Sequence, residues 1–163
     1  MRRIIFVLLA AVCASAPLRA DLDRTKKPAA GPAPEASFPD YKETTLPNGL
    51  KIFVIEDDRK PTITLRLVLR SGSVFDGPKT GLATFVATML NRGTEHRDAA
   101  AFAKEIDFLG ATLEASAAPD SIAVTTSGLT IYTDKLLDLF TDAVLTPAFP
   151  PDQVTRVQRQ MLS

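Results

Sequence analysis

The chain has 163 residues, of which 45% are hydrophobic and 23% charged. These values are typical of a globular protein with one hydrophobic core. The 19 basic and 19 acidic residues balance, and no basic stripe with interleaved aromatic side chains is present, which argues against nucleic acid as a partner.

The N-terminus has the pattern of a signal peptide. Arg2 and Arg3 precede an apolar run at 4–12, and small residues follow as far as Ala20. We therefore predict a signal peptide at residues 1–20 and an exported protein, periplasmic or secreted. The run is too short to span a bilayer comfortably, so no membrane span is expected after cleavage. Cleavage would also remove Cys13, the only cysteine, which excludes disulfides from the mature chain.

Residues 21–40 are rich in proline and alanine and are predicted to form an extended linker. The ordered domain is then expected at 41–163. It begins with a hairpin, in which strands at 42–46 and 50–56 are joined by the turn Pro47-Asn48-Gly49. A third strand at 62–70 alternates apolar and polar residues, as a half-buried strand does.

The stretch 78–93 has helical periodicity on two faces. One face is an apolar stripe of Leu82, Phe85, Val86, Met89 and Leu90. The opposite face carries Thr84, Ala87, Thr88 and Asn91, where a surface helix would usually place long charged side chains. We infer that this second face lies close to other protein or lines a narrow cleft.

The remaining elements are predicted in the order helix, strand, strand, helix, helix. Asp98 is a plausible N-cap for a helix through Leu109, strands follow at 111–117 and 121–127, and helices begin near 133 and 150. The inward residues of these helices are expected to be Phe102, Ile106, Leu109, Leu136, Leu137, Phe140, Val144, Val154, Val157 and Met161. This order predicts an α+β fold, with a largely antiparallel sheet and helices on one face. Because residue 163 falls inside a helix with no capping signal, we expect the domain to be incomplete at its C-terminus.

Few side chains suggest chemistry by themselves. His96 is the only histidine and is interpreted as an exposed loop residue without a companion acid. Asp138 and Asp142 lie one helical turn apart and are predicted to be a surface pair rather than a catalytic dyad. Neither Ser71 nor Ser73 has a histidine placed to activate it.

Six short motifs nevertheless occur in a distinctive order. They are N-G-L at 48–50, R-x-G-S at 70–73, G-L-A at 81–83, L-x-x-G-T at 90–94, L-G-A at 109–111 and P-x-F at 147–149. Together they resemble the N-terminal domain of the pitrilysin/insulinase zinc peptidases, a family that includes mitochondrial processing peptidase. The resemblance covers residues 42–163.

The resemblance implies that the helix after G-L-A should carry H-x-x-E-H. In active members the two histidines bind zinc and the glutamate activates the metal-bound water, while a later glutamate completes the site. Here the motif positions are Thr84, Ala87 and Thr88, and the later position falls near residue 163, where Gln158 and Gln160 are neutral amides. We therefore expect no catalytic residue, no metal or other cofactor, and no peptidase activity from this chain alone.

The resemblance further implies that substrate adds as an extended strand beside the motif helix. The matching element here is Leu113, Glu114, Ala115 and Ser116, although active members often have asparagine where Glu114 stands. An ordinary sheet strand is the competing interpretation of these four residues.

We predict a catalytically inactive member that partners a related, H-x-x-E-H-bearing peptidase chain or binds peptide or unfolded polypeptide. An active zinc endopeptidase with atypical ligands, a stand-alone scaffold or binding domain, and a gene fragment are the alternatives.

Overall fold

The structure is a computed structural model that describes Gly31 and residues 39–162. The predicted signal peptide at 1–20 lies outside the described residues, as does most of the predicted linker at 21–40. The described residues divide into two compact units after Ile55.

The first unit contains an antiparallel hairpin of β1 (Lys42–Thr45) and β2 (Lys51–Val54). Its turn is closed by a hydrogen bond of 2.9 Å from the Leu46 N–H to the Leu50 carbonyl. Gly49 has a φ of 84°, a left-handed conformation that favours glycine. The predicted hairpin and its turn are therefore confirmed.

The second unit contains a three-stranded antiparallel sheet in the order β3-β5-β4. The strands are β3 (Thr62–Leu69), β4 (Thr112–Ala117) and β5 (Ile122–Leu129). Register places Leu67 beside Val124 and Ala115 beside Val124, so these side chains share one face of the sheet. Alternate residues of β5 are buried on this face, which is therefore the inner face.

Four helices follow the predicted order. They are α1 (Leu82–Met89), α2 (Ala99–Phe108), α3 (Thr133–Leu145) and α4 (Pro151–Met161), with short 3-10 turns at Ser73–Phe75 and Thr130–Tyr132. The Asp98 carboxylate accepts the Ala101 N–H at 2.7 Å, which confirms it as the N-cap of α2. The α+β architecture is confirmed. Within the part of the chain that the structure describes, no helix has the length and apolar character needed to cross a membrane.

The core fills the space between the inner face of the sheet and helices α1 to α3. Phe102, Leu136, Leu139 and Val124 are among its fully buried side chains. Gly128 of β5 lies against α3, because a Cβ built there would be 3.0 Å from Leu136 Cδ1. The sheet and α3 are therefore in direct contact at this position.

Three predicted core positions are wrong. Met161 of α4 is 43% exposed. In α1 and α3, Leu82 and Leu137 are 41% and 42% exposed, whereas Ala87 and Leu139 are buried. Each helix has two neighbouring stripes of apolar or small residues, and hydrophobicity by itself does not select between them. The structure selects the stripe with alanines, Ala83 and Ala87 in α1, because small side chains let a helix approach its neighbours closely.

Gly72, in the R-x-G-S motif, is buried where the chain leaves β3 and passes the β4–β5 turn. A Cβ at this position would lie 2.4 Å from the carbonyl oxygens of Ala118 and Pro119. The same contact allows the N–H groups of Ser73 and Val74 to donate to those carbonyls at 3.1 and 2.9 Å. Glycine is therefore required at this motif position, because the two backbone segments lie too close together to admit a side chain.

We predict that Gly72→Ala lowers the free energy of unfolding by about 3 kcal/mol, because backbone atoms must move to admit the methyl group. The measurement is urea denaturation of the chain. The exposed neighbour Ser71 supplies the control, since Ser71→Ala is expected to change stability by less than about 0.5 kcal/mol. Equal midpoints for Gly72→Ala and the parent chain would contradict the close-approach explanation.

Candidate functional site

Helix α1 carries the three motif positions and is fixed at its N-terminus by a distant carboxylate. Asp76 is buried and accepts the N–H groups of Gly81 and Ala83, each at 2.8 Å. Gly81 has a φ of 88°, which turns the chain into the helix. A carboxylate is favoured here because it satisfies free N–H groups at the positive end of the helix. Sequence analysis missed Asp76, because it lies six residues before the helix.

The side chains at the motif positions offer no group suited to catalysis. Thr84 is exposed, and its carbonyl oxygen accepts the Thr88 hydroxyl at 2.8 Å. Ala87 is buried in the core cluster. The inference that the second face lies close to other protein thus holds for Ala87 and for the half-buried Thr88, but not for the exposed Thr84 and Asn91.

These residues do not fit a zinc ion of the H-x-x-E-H type. Zinc in proteins is bound by imidazole, thiolate or carboxylate groups, and two hydroxyls and a methyl group supply none of these. Among the residues that the structure describes, no cluster of three or more histidine, cysteine, aspartate or glutamate side chains could hold a metal ion. No catalytic step through zinc can be assigned to residues 84–88.

A buried carboxylate lies beyond the other end of α1. Asp142 of α3 accepts hydrogen bonds from Thr94 Oγ1 and Thr146 Oγ1, both at 2.7 Å. Arg97 Nη1 donates to it at 2.5 Å, and His96 Nδ1 lies 2.7 Å from its Oδ1. We call these five residues the Asp142 network. Three of its members belong to the segment that follows α1, so the network attaches this segment to α3.

Arg97 extends the Asp142 network to the protein surface. Its side chain is only 18% exposed and pairs with Glu105 at 3.2 Å and with Asp138 at 2.6 Å. Burial by itself would lower the pKa of the guanidinium, but its three carboxylate partners outweigh burial and raise that pKa. Arg97 is therefore held as a charged group between α2 and α3.

Two predictions about this region are wrong. Asp142 is buried and hydrogen-bonded rather than a surface residue, because Arg97 and the neighbouring hydroxyls compensate for its charge. His96 is exposed as predicted, with 66% of its side chain accessible, but it does have a companion acid in Asp142. The two partners are 46 residues apart, a separation that local pattern analysis does not cover.

The predicted peptide-binding residues lie on β4. This strand pairs with β5 on one side only, so it is an edge of the sheet within the described range 39–162. Leu113 is buried on the inner face, Ala115 is half-buried, and Glu114 and Ser116 are exposed on the outer face. The arrangement is compatible with addition of an extended peptide, and this role stays a prediction.

The family profile of "Insulinase (Peptidase family M16)" matches residues 51–163. The chain is 32% identical over 110 residues to the mitochondrial cytochrome b-c1 complex subunit 1 of Caenorhabditis elegans. The aligned region covers 67% of the chain and 23% of that protein. The chain is 31% identical over 119 residues to the probable mitochondrial-processing peptidase subunit alpha-1 of Arabidopsis thaliana, with coverage of 72% and 24%. The chain thus spans about a quarter of the length of these relatives.

A solved structure has the same fold. The peptidase M16 inactive domain from Pseudomonas fluorescens superposes with a TM-score of 0.72 at 30% identity, over 76% of this chain and 30% of that one. Similarity in both sequence and structure agrees with the resemblance inferred from the six motifs.

We predict that Asp142→Asn lowers the free energy of unfolding by about 2–4 kcal/mol. The neutral amide no longer compensates the charge of Arg97, and it leaves the neighbouring donors without their acceptor. Asp138→Asn, in the same helix and paired with the same arginine, is the matched control. Asp138 is 56% exposed, so its replacement should cost less than about 1 kcal/mol. Equal losses for the two variants in chemical denaturation would contradict a special role for Asp142.

The same carboxylate gives an expected pH dependence. Burial would raise the pKa of Asp142, but its four hydrogen bonds outweigh burial and hold the pKa well below its usual range. Its stabilising contribution is therefore present above the unfolded-state pKa of about 3.9 and is lost as the pH falls toward the lower folded-state value. Between about pH 4 and pH 2, stability should decline more steeply in the parent chain than in Asp142→Asn.

Zinc content is a further measurable consequence of residues 84–88. After purification and dialysis against zinc, the chain is expected to hold far less than one zinc per molecule, because the motif helix lacks ligands. Metal analysis of the protein provides the number. A retained zinc at one equivalent would support the alternative of a peptidase with atypical ligands.

Proposed function

The chain belongs to the insulinase family, peptidase family M16, and we propose that it is a non-catalytic member that pairs with a zinc-binding relative. The proposal assigns it a structural and substrate-holding role in a peptidase assembly. The proposal rests on helix α1, which keeps its N-terminal cap and its core packing but has no zinc-binding or catalytic side chain at the motif positions.

The preserved features of α1 are those that hold the helix in place. Asp76 caps its start, Ala83 and Ala87 pack in the core, and the Asp142 network attaches the segment beyond its end to α3. Within α1, only the three residues that would act on zinc lack suitable groups. Loss of all function would leave no reason to retain the cap, the packing and the network, so a role that needs the folded domain is favoured.

An exposed apolar surface near the start of α1 supports an interaction with another chain. We define this apolar patch as Val74, Phe75, Leu82 and Met161. Val74 and Phe75 are 67% and 66% exposed on a turn that packs beside α1, and Met161 Cε lies 3.8 Å from a Cβ built on Gly81. Apolar surface of this kind is usually covered by a partner. We propose a related peptidase domain as that partner, because the relatives named above are described as subunits.

Peptide binding at β4 is the second proposed role. Strand β4 has a free edge within the described residues, and main-chain hydrogen bonds to an extended peptide need no catalytic side chain. Residues 113–116 would then hold a polypeptide while the partner supplies the catalytic groups. The pattern at residues 1–20 supports export, so we place the assembly in the periplasm or outside the cell.

We predict that the tagged chain, captured from the envelope fraction of its native host, brings down a related chain that carries H-x-x-E-H. Phe75→Ser is expected to reduce recovery of that chain at least about fivefold, because it places a polar group in the apolar patch. Mass spectrometry of the captured material identifies the partner and quantifies it.

Phe108→Ser is the matched control, since Phe108 is 84% exposed on α2 and does not belong to the patch. Its recovery of the related chain should equal that of the parent. Absence of any H-x-x-E-H chain from the parent capture would overturn the subunit proposal. Equal losses for the two variants would overturn the assignment of the interface to the apolar patch.

A further inference from the structure

A cleft lies at the start of two helices, away from the motif positions of α1. Its volume is about 490 Å³, and it is formed by the segment after α1, the first turn of α2 and the first turns of α4. Its lining residues are Arg92, Asp98, Ala99, Ala100, Pro150, Asp152, Gln153 and Arg156. None of these residues was singled out as a binding group by the sequence.

Two arginines in this cleft have no side-chain partner among the residues that the structure describes. Neither Arg92 nor Arg156 forms an ion pair or a side-chain hydrogen bond with any residue in the described part of the chain. The Nε of Arg92 is buried and has no hydrogen-bond partner. Buried arginine donors are normally satisfied, so an unpartnered one beside a cleft points to a group that the chain itself does not supply.

Exposed arginines elsewhere in the described chain, such as Arg66 of β3, also have no side-chain partner, so the buried Nε is what distinguishes Arg92. Arg97 uses its guanidinium on three carboxylates. Two carboxylates also line this cleft, but each already accepts a hydrogen bond from a residue nearby in the chain. The Asp98 carboxylate accepts the Ala101 N–H at 2.7 Å, and Asp152 accepts the Gln153 side-chain amide at 2.9 Å.

The electrostatic balance of the cleft is positive. A helix N-terminus carries roughly half a positive charge, so the starts of α2 and α4 together contribute about one unit. The two arginines and the two aspartates cancel in formal charge, so the helix ends leave the cleft with a positive balance. No side chain caps α4, and its first N–H groups therefore remain without a side-chain acceptor.

We propose that this cleft binds a small oxyanion with two negative charges, held by Arg92 and Arg156. The planar guanidinium fork matches the oxygen geometry of a phosphate or a carboxylate, and two forks suit a dianion. A phosphate monoester and a dicarboxylate both carry two negative charges on oxygen atoms, so either class of ligand fits this description. The site is separate from the motif positions and from the apolar patch, so the proposal does not depend on the subunit role.

The test is calorimetric titration of the full chain with inorganic phosphate and, separately, with glutarate. Ionic strength is kept constant with sodium chloride, because nonspecific anion attraction falls with screening. We expect saturable binding of at least one probe at roughly millimolar or tighter affinity. Binding of phosphate alone identifies a phosphate-type ligand, and binding of glutarate alone identifies a dicarboxylate.

Arg156→Gln and Arg92→Gln are each expected to raise the dissociation constant about tenfold, because each removes one charged fork. Arg66→Gln is the matched control, since Arg66 is exposed on β3 and does not line the cleft. Arg156 is exposed, so its variant remains informative even if Arg92→Gln does not fold. Absence of saturable binding by both probes, or equal weakening by Arg66→Gln and Arg156→Gln, would overturn the proposal.

Discussion

The buried carboxylate of Asp142 is the constraint on which the arrangement around α1 depends. Its four hydrogen-bond donors come from the segment that follows α1 and from the end of α3. Main-chain bonds follow the same path, since the Glu95 N–H donates to the Thr146 carbonyl at 2.9 Å. A buried charge is tolerated only when its partners are complete. The position of the motif helix is thereby linked to that of α3.

The family motifs in this chain are mostly requirements of the scaffold. Gly72 of R-x-G-S permits backbone contact with the β4–β5 turn, and Thr94 of L-x-x-G-T donates to Asp142. Ala83 of G-L-A packs in the core. None of these three residues supplies a chemical group for peptide hydrolysis. This separation explains how the chain can retain the family's fold while residues 84–88 lack zinc ligands.

The three surfaces proposed for binding on the described part of the chain differ in physical character. The apolar patch around Phe75 suits another folded domain, because burial of apolar surface drives such association. The edge of β4 suits an extended polypeptide through main-chain bonds. The cleft with Arg92 and Arg156 suits a small oxyanion. The surfaces involve different residues, so each can be altered separately.

The sequence alone determined the element order, the hairpin, the Asp98 cap and the family, because these depend on local periodicity, turn residues and short motifs. It also identified Thr84, Ala87 and Thr88 as positions without metal ligands. Only the tertiary structure decided which stripe of α1 and α3 faces the core, since adjacent apolar stripes are equivalent until a neighbour is packed against one of them. The contacts of Asp142 and the presence of Arg92 and Arg156 in one cleft were likewise decided in three dimensions, because their members are far apart in the chain and local spacing does not predict which of them come together.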